Sequence, residues 1–238
     1  MLNTFEDIWE AVQSDLNITD ESPLYPLATV KNAVNRAYIK SAGLFRWPGT
    51  EDAKTTSTQA NQEYYDYPQN WRDDSIWRLE VDGVQYGEDP DGSPLRFEDY
   101  LAWRADSDNA NSTEKKWSTQ KRRYFIYPVP TTAGNNNISV WGQRMVDELV
   151  NASDTTIFSY HMPECNEAVA LEAEAILKSQ GEQEETGEFR STQAKQILLV
   201  AWNKIRQDQT KYEKNQPFFD VPDYFSGRST KEDIIGNF

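Results

Sequence analysis

The chain has 238 residues with 39 acidic and 24 basic side chains, a formal net charge of -15, one histidine and one cysteine. That balance excludes a general phosphate-binding surface, which gains affinity by displacing counterions with Lys and Arg. The length allows a substantial buried core, and Cys165 alone cannot form an intramolecular disulfide. Glu6, Asp7, Glu10, Asp15, Asp20 and Glu21 interrupt the first thirty residues, and no basic stretch is followed there by an apolar one, so no secretory signal is expected. No run approaches the roughly 18 apolar residues of a membrane span. A soluble protein assembled in the cytosol is the expectation, and the glycosylation triplets at Asn17, Asn111 and Asn151 then carry no weight.

Phe5, Ile8, Trp9, Val12 and Leu16 recur at intervals of three and four behind a Thr4/Asp7 cap, predicting a helix from about Phe5 to Leu16. A second helix is predicted from near Pro23 or Leu24, with Leu27, Val30, Val34, Ala37 and Tyr38 on one face and an end near Trp47-Pro48-Gly49. The period then changes. Lys54 to Asn61 is polar and Thr-rich, and it leads into the tyrosine-rich QEYYDYPQNW, where Pro68 limits any strand. In SIWRLEVDGVQYG, Trp77, Leu79 and Val81 alternate with Arg78, Glu80 and Asp82, and Asp82-Gly83 supplies a turn before Val84 and Tyr86.

Ser93-Pro94 can start a short helix carrying Phe97, Tyr100 and Leu101. Asp106 to Thr113 reads as a loop. Arg122 to Val146 reads as a β-hairpin. Tyr124 and Ile126 share one face, Phe125 and Tyr127 the other, Pro128 and Pro130 end the strand, the Gly134 region turns, and Ile138 and Val140 return. Tyr160-His-Met-Pro163 announces a helix with a small-residue stripe through Ala168, Leu171, Ala175 and Ile176, broken at Gly181. A last helix from about Glu188 to Lys214 holds Ala194, Ile197, Leu198, Ala201 and Ile205 on one face, roughly 40 Å long at 1.5 Å per residue.

The resulting expectation is a mainly α fold: an antiparallel bundle of about four helices, from residues 1–53 and 160–214, interrupted by a small antiparallel β-rich insertion over 54–159. Residues 215–238 are expected to form an extended arm. Pro217 and Pro222 keep it from joining the last helix, and its aromatic content is unlike that of ordinary disordered tails. Phe218, Phe219, Tyr224, Phe225 and Phe238 are its expected partner-binding anchors.

The search for chemistry yields little. His161 and Cys165 are four apart, but Pro163 puts the helix start between them and no further His or Cys exists to complete a zinc site. There is no G-x-S-x-G elbow, no phosphate-binding loop and no dinucleotide fingerprint. With 39 acidic residues, any chosen carboxylate pair is uninformative. The expectation is therefore no catalytic residue, no metal and no cofactor. The cluster Lys115, Lys116, Lys121, Arg122 and Arg123 around Trp117 is expected to border a loop or meet acidic neighbours rather than bind phosphate.

Two N-terminal helices are followed by EYYDYPQNW, SIWRLEVDGVQYG and RRYFIYPVP, then ISVWGQRMVDEL, then YHMPECNEAVALEAEAILKSQGE and a long helix. In that order, over about residues 4 to 213, the chain resembles the head-to-tail adaptor (head completion or connector) proteins of short-tailed bacteriophages. The resemblance implies a structural virion component at the head-tail interface, a homo-oligomer forming a dodecameric ring below the portal protein. The β insertion would face neighbouring subunits, the tail nozzle or tail fibres. No shared catalytic residues are implied. Repeating an acidic subunit around a ring would make a negative lumen along which DNA slides without specific binding. The competing readings are an aromatic-rich module that attaches tail fibres or recognises carbohydrate, and a hydrolase.

Overall fold

The structure is a computed structural model and describes residues 2–19, 22–87, 92–109, 112–180 and 184–212. The first helix, α1 (Phe5–Leu16), begins where the sequence places its cap. The Asp7 N–H donates to Thr4 Oγ1 at 3.2 Å, and Asp7 Oδ2 accepts the Thr4 and Asn3 N–H groups, each at 2.9 Å. Those backbone donors hold the Asp7 carboxyl below its usual range. Phe5, Ile8, Trp9 and Val12 are buried, as their spacing requires. The second helix, α2 (Leu27–Leu44), starts behind Pro26 rather than at Pro23, because the residue before a proline is pushed out of the helical region. Its buried stripe is Val30, Ala33, Val34, Ala37, Tyr38, Ser41 and Ala42.

Strands β1 (Glu51–Thr56), β2 (Tyr64–Asp66), β3 (Arg78–Val81) and β4 (Val84–Tyr86) follow, then helix α3 (Phe97–Ala105), then β5 (Lys116–Gln120), β6 (Arg123–Tyr127) and β7 (Ile138–Gln143). They form two antiparallel sheets, one in the order β1-β7-β3-β4 and the other β2-β6-β5. A shared core joins Leu79, Ile138 and Val140 of the first to Tyr65, Trp117, Tyr124 and Ile126 of the second, with Trp71 from a loop. The chain ends its described part with α4 (Glu164–Gln180) and α5 (Glu184–Tyr212).

Two compact units result. The described residues of Met1–Ile8 and Arg46–Asn166 make the first, which holds both sheets, and those of Trp9–Phe45 and Glu167–Phe238 make the second, which is helical. In the helical unit α4 buries Ala168, Val169, Ala170, Ala173, Ala175 and Leu177, and α5 buries Ala194, Leu198, Ala201 and Trp202. The small-residue stripe allows close approach. A Cβ at Gly187 of α5 would stand 2.9 Å from Ser179 Oγ and 3.1 Å from the Ala175 carbonyl of α4. Phe45 stacks on Trp202 with ring centroids 5.5 Å apart.

Two expectations are corrected. The fold is not a mainly α bundle of about four helices. It is mixed α/β, with five α-helices and seven strands in two antiparallel sheets among the described residues. The strand content was hidden because β1 (EDAKTT) and β5 (KWSTQ) are edge strands, whose side chains need not alternate in polarity. Backbone pairing defines β1, in register from Glu51↔Gln143 to Thr56↔Ile138.

The second correction concerns Arg122 to Val146, which is not a hairpin. β6 pairs with β2 and β5, and β7 pairs with β1 and β3 in the other sheet. Pro128 and Pro130 lack the donors a continuing ladder needs. The connection instead bonds to residues 58–61: Asn61 N–H donates to the Pro130 carbonyl at 2.8 Å, Gly134 N–H to the Thr58 carbonyl at 3.1 Å, and Thr58 N–H to Asn137 Oδ1 at 2.9 Å.

The β3–β4 hairpin forms in the predicted register, Val81↔Val84, across Asp82 (φ 52°) and Gly83 (φ 72°). Both central residues have positive φ, the requirement of the mirror-image turn that matches strand twist. A Cβ at Gly83 would meet open space. Gly83→Ala is therefore expected to cost about 1 kcal/mol through backbone strain alone. Chemical denaturation checks it, with Gly83→Asn, which tolerates this conformation, expected to recover most of the loss.

Candidate functional site

The pair that invited a catalytic reading is not assembled. His161 is exposed, while Cys165 is fully buried at the start of α4. Burial, with Glu164 adding to it, pushes the Cys165 thiol up to about 12, so it stays protonated and unreactive. Among the described residues no group of three or more His, Cys, Asp or Glu is placed to hold a metal ion.

The concentrated feature of the sheet unit is the outer face of the β2-β6-β5 sheet. Alternation along β6 turns Tyr124 and Ile126 into the core and leaves Phe125 and Tyr127 on the opposite side, as the sequence pattern requires. There α3 lies across β5 and brings its own aromatics. The Phe125 ring centroid is 5.0 Å from that of Phe97, 5.9 Å from Tyr64 and 6.3 Å from Tyr100, and Trp103 meets Tyr127 edge-on at 4.9 Å. The buried end is tied down. Ser118 Oγ donates to the Leu95 carbonyl at 2.8 Å, and Tyr100 OH reaches Glu63 Oε1 at 3.1 Å, an oxygen that also pairs with Arg104 at 2.5 Å. Burial and the Glu63 charge raise the Tyr100 phenol above its ordinary value, so it remains a neutral donor. Tyr64, Phe97, Trp103, Phe125 and Tyr127 keep part of their rings open to solvent.

Beside these aromatics the β5–β6 turn overhangs an open concavity of about 610 Å³, lined by Asp66, Tyr67, Gln69, Gln120, Lys121, Arg122, Arg123 and Phe125. The turn has two residues, Lys121 (φ 48°) and Arg122 (φ 59°), between the paired Gln120 and Arg123. Neither residue type favours positive φ, so this hairpin carried none of the Asn-Gly signal by which such turns are read. The Arg122 guanidinium supplies a reason for its presence. It donates to the carbonyls of Trp71 (3.0 Å), Pro68 (3.1 Å) and Gln69 (3.1 Å) and to Asp73 Oδ1 (2.7 Å). Arg123 pairs with Asp66 at 3.1 Å and lies over the Tyr64 ring at 4.7 Å. Lys116 pairs with Glu114 at 3.3 Å.

Lys116, Arg122 and Arg123 of the basic cluster thus meet acidic neighbours or backbone carbonyls, and Lys115 faces the Tyr86 ring at 6.0 Å. An aromatic surface flanked by paired charges can dock a partner. Sequence reasoning singled out Phe125 and Tyr127 as a strand face and Arg122 as part of a charge run. It missed the joining of α3 to that face and the structural role of Arg122. The arm residues Phe218, Phe219, Tyr224, Phe225 and Phe238 lie outside the described residues.

Comparison with known families decides what kind of protein carries this surface. The family model described as SU10 adaptor protein matches residues 3–215. The chain belongs to the SU10 adaptor protein family. It is a bacteriophage adaptor, a structural protein, and the matched range spans both units, including the aromatic face. No curated protein matches it. No helix among the described residues of this adaptor is long and apolar enough to cross a membrane.

Proposed function

We propose that the chain is the head-to-tail adaptor of a short-tailed bacteriophage, forming a ring of identical copies between the portal protein and the tail, through which DNA passes. The match of residues 3–215 to the adaptor family carries this reading. The net charge of -15 supports a lumen that repels DNA, since a ring multiplies the field of each subunit. The partly open rings of Tyr64, Phe97, Trp103, Phe125 and Tyr127 support a protein-facing role, because aromatic residues are enriched where interfaces bury area. The neighbour, the tail nozzle or a tail fibre would cover them, and no enzymatic step belongs to this role. Negative-stain imaging of the purified protein, alone and with its portal, tests the proposal. Closed rings that cap the portal are expected, with twelve subunits. A protein that stays monomeric and leaves the portal bare overturns it.

The C-terminal anchors belong to the same proposal. Burial of even two of Phe218, Phe219, Tyr224, Phe225 and Phe238 against the portal or an adjacent subunit would contribute a few kcal/mol per subunit, less the entropy of ordering the arm. Truncation after Lys214 is expected to leave a folded protein that no longer holds the portal, as measured by co-sedimentation. Unchanged portal affinity, or unfolding of the truncated chain, defeats this part.

A further inference from the structure

The helical unit contains two buried glutamates, two residues apart on α4, with opposite solutions to burial. Glu172, only 4% exposed, forms an ion pair with Lys40 of α2 and accepts a hydrogen bond from Ser191 of α5 at 2.8 Å. Glu174 is 0% exposed, and neither of its carboxyl oxygens accepts a hydrogen bond from a protein donor. Arg190 of α5 brings its Nε to 3.3 Å from Glu174 Oε2 without directing its N–H at that oxygen. Asp15 of α1 is the acidic neighbour of Glu174, and its hydrogen bonding and its charge both act to raise the Glu174 carboxyl. Lys178 lies one turn along α4.

Two ionised carboxylates are both acceptors, so a hydrogen bond between them requires a proton on one. Of the two, Asp15 belongs to an exposed residue that water can solvate, whereas Glu174 has no water-facing surface. The proton therefore resides on Glu174. Burying a charge without hydrogen bonds is costly enough that the group neutralises instead.

We propose that Glu174 is a carboxylic acid that donates its proton to Asp15, and that losing this proton loosens the α1–α4–α5 contact, so that the helical unit carries a proton-operated latch. Burial is the main cause of the upward displacement of the Glu174 carboxyl from its ordinary 4.5 to about 7; Arg190 opposes it, and Asp15 adds to it. The folded value exceeds the unfolded one. The stabilisation is thus complete below the unfolded value and is lost as pH rises through about 7, after which it falls no further.

The experiment uses the full chain in three forms, wild type, Glu174→Gln and Asp15→Asn, between about pH 5.5 and about pH 8.5. Thermal unfolding and hydrogen exchange of the α4 amides are read, the latter corrected for the chemical exchange rate. Wild type is expected to lose stability through about neutral pH, with α4 exchange at the alkaline end at least about tenfold faster than in Glu174→Gln. Glu174→Gln, which keeps a neutral donor toward Asp15, is expected to flatten the profile. Asp15→Asn offers an amide donor to the Glu174 carboxylate and is expected to move the transition to lower pH. A Glu174→Gln protein that keeps the wild-type slope overturns the proposal. Where that variant does not fold, carbon NMR of the wild-type carboxyls decides. A buried glutamate titrating near neutrality supports the latch, and one titrating at its ordinary value overturns it.

Discussion

Replacing Gly142 with alanine is expected to destabilise the sheet unit by about 3 kcal/mol, which for a chain of this size lowers the melting temperature by about 6–12 °C. Gly142 lies within β7, paired with Asp52 of β1. A Cβ there would stand 2.3 Å from Cζ3 and 2.5 Å from Cε3 of Trp71. That indole cannot withdraw. It is 0% exposed, its Nε1 donates to Asp52 Oδ2 at 3.3 Å, and its main chain is bridged to Arg144. Overpacking must therefore shift the strand or the ring, and both belong to the shared core.

A double-mutant cycle with Trp71→Leu gives the cause. Removing the ring is costly alone, but it deletes the atoms the new methyl would strike, so the double variant is expected to be clearly less destabilised than the sum of the singles. Additive effects, or an alanine variant as stable as wild type, would contradict the close approach.

The second large effect is expected at Arg122. Its guanidinium bonds to three backbone carbonyls of the 68–71 loop and to Asp73, and the planar fork meets these acceptors together. Arg122→Ala leaves them to find other donors and is expected to cost about 2–3 kcal/mol by chemical denaturation, the lower part of the range because the side chain is partly exposed. Arg122→Lys keeps the charge but has one nitrogen, and is expected to recover less than half of the loss. Arg122→Gly loses the same bonds yet relieves the positive φ, so it is expected to be more stable than Arg122→Ala by about 1 kcal/mol. An ordering with lysine near wild type would show that charge, rather than the fork, holds the loop.

Both sites show where sequence reasoning stops. The Gly142 signal is a lone glycine in an apolar strand, VWGQ, whose neighbour Trp71 is distant in the chain. The Arg122 signal is a basic pair that reads as a solvated turn.

By itself the sequence determined the local elements whose pattern is periodic and strong. These are α1 with its cap, the part of each predicted stripe that is buried (Val30, Val34, Ala37 and Tyr38 of α2, Ala168 and Ala175 of α4, Ala194, Leu198 and Ala201 of α5), the β3–β4 hairpin with its Asp-Gly turn, and the two faces of β6. Each follows from backbone sterics and from the burial of residues close in sequence, so a window of a dozen residues holds the information. The small-residue face of α4 likewise announced close helix packing. Tertiary structure alone decided the rest. It split β6 and β7 between two sheets, made strands of the polar edges β1 and β5, set α3 beside Phe125, and left Glu174 without a donor while giving one to Glu172. Those outcomes depend on partners far away in the chain: an edge strand is defined by the strand beside it, and a buried carboxyl by the groups that enclose it. The alternation of polar and apolar residues says that a face is buried, but not against what.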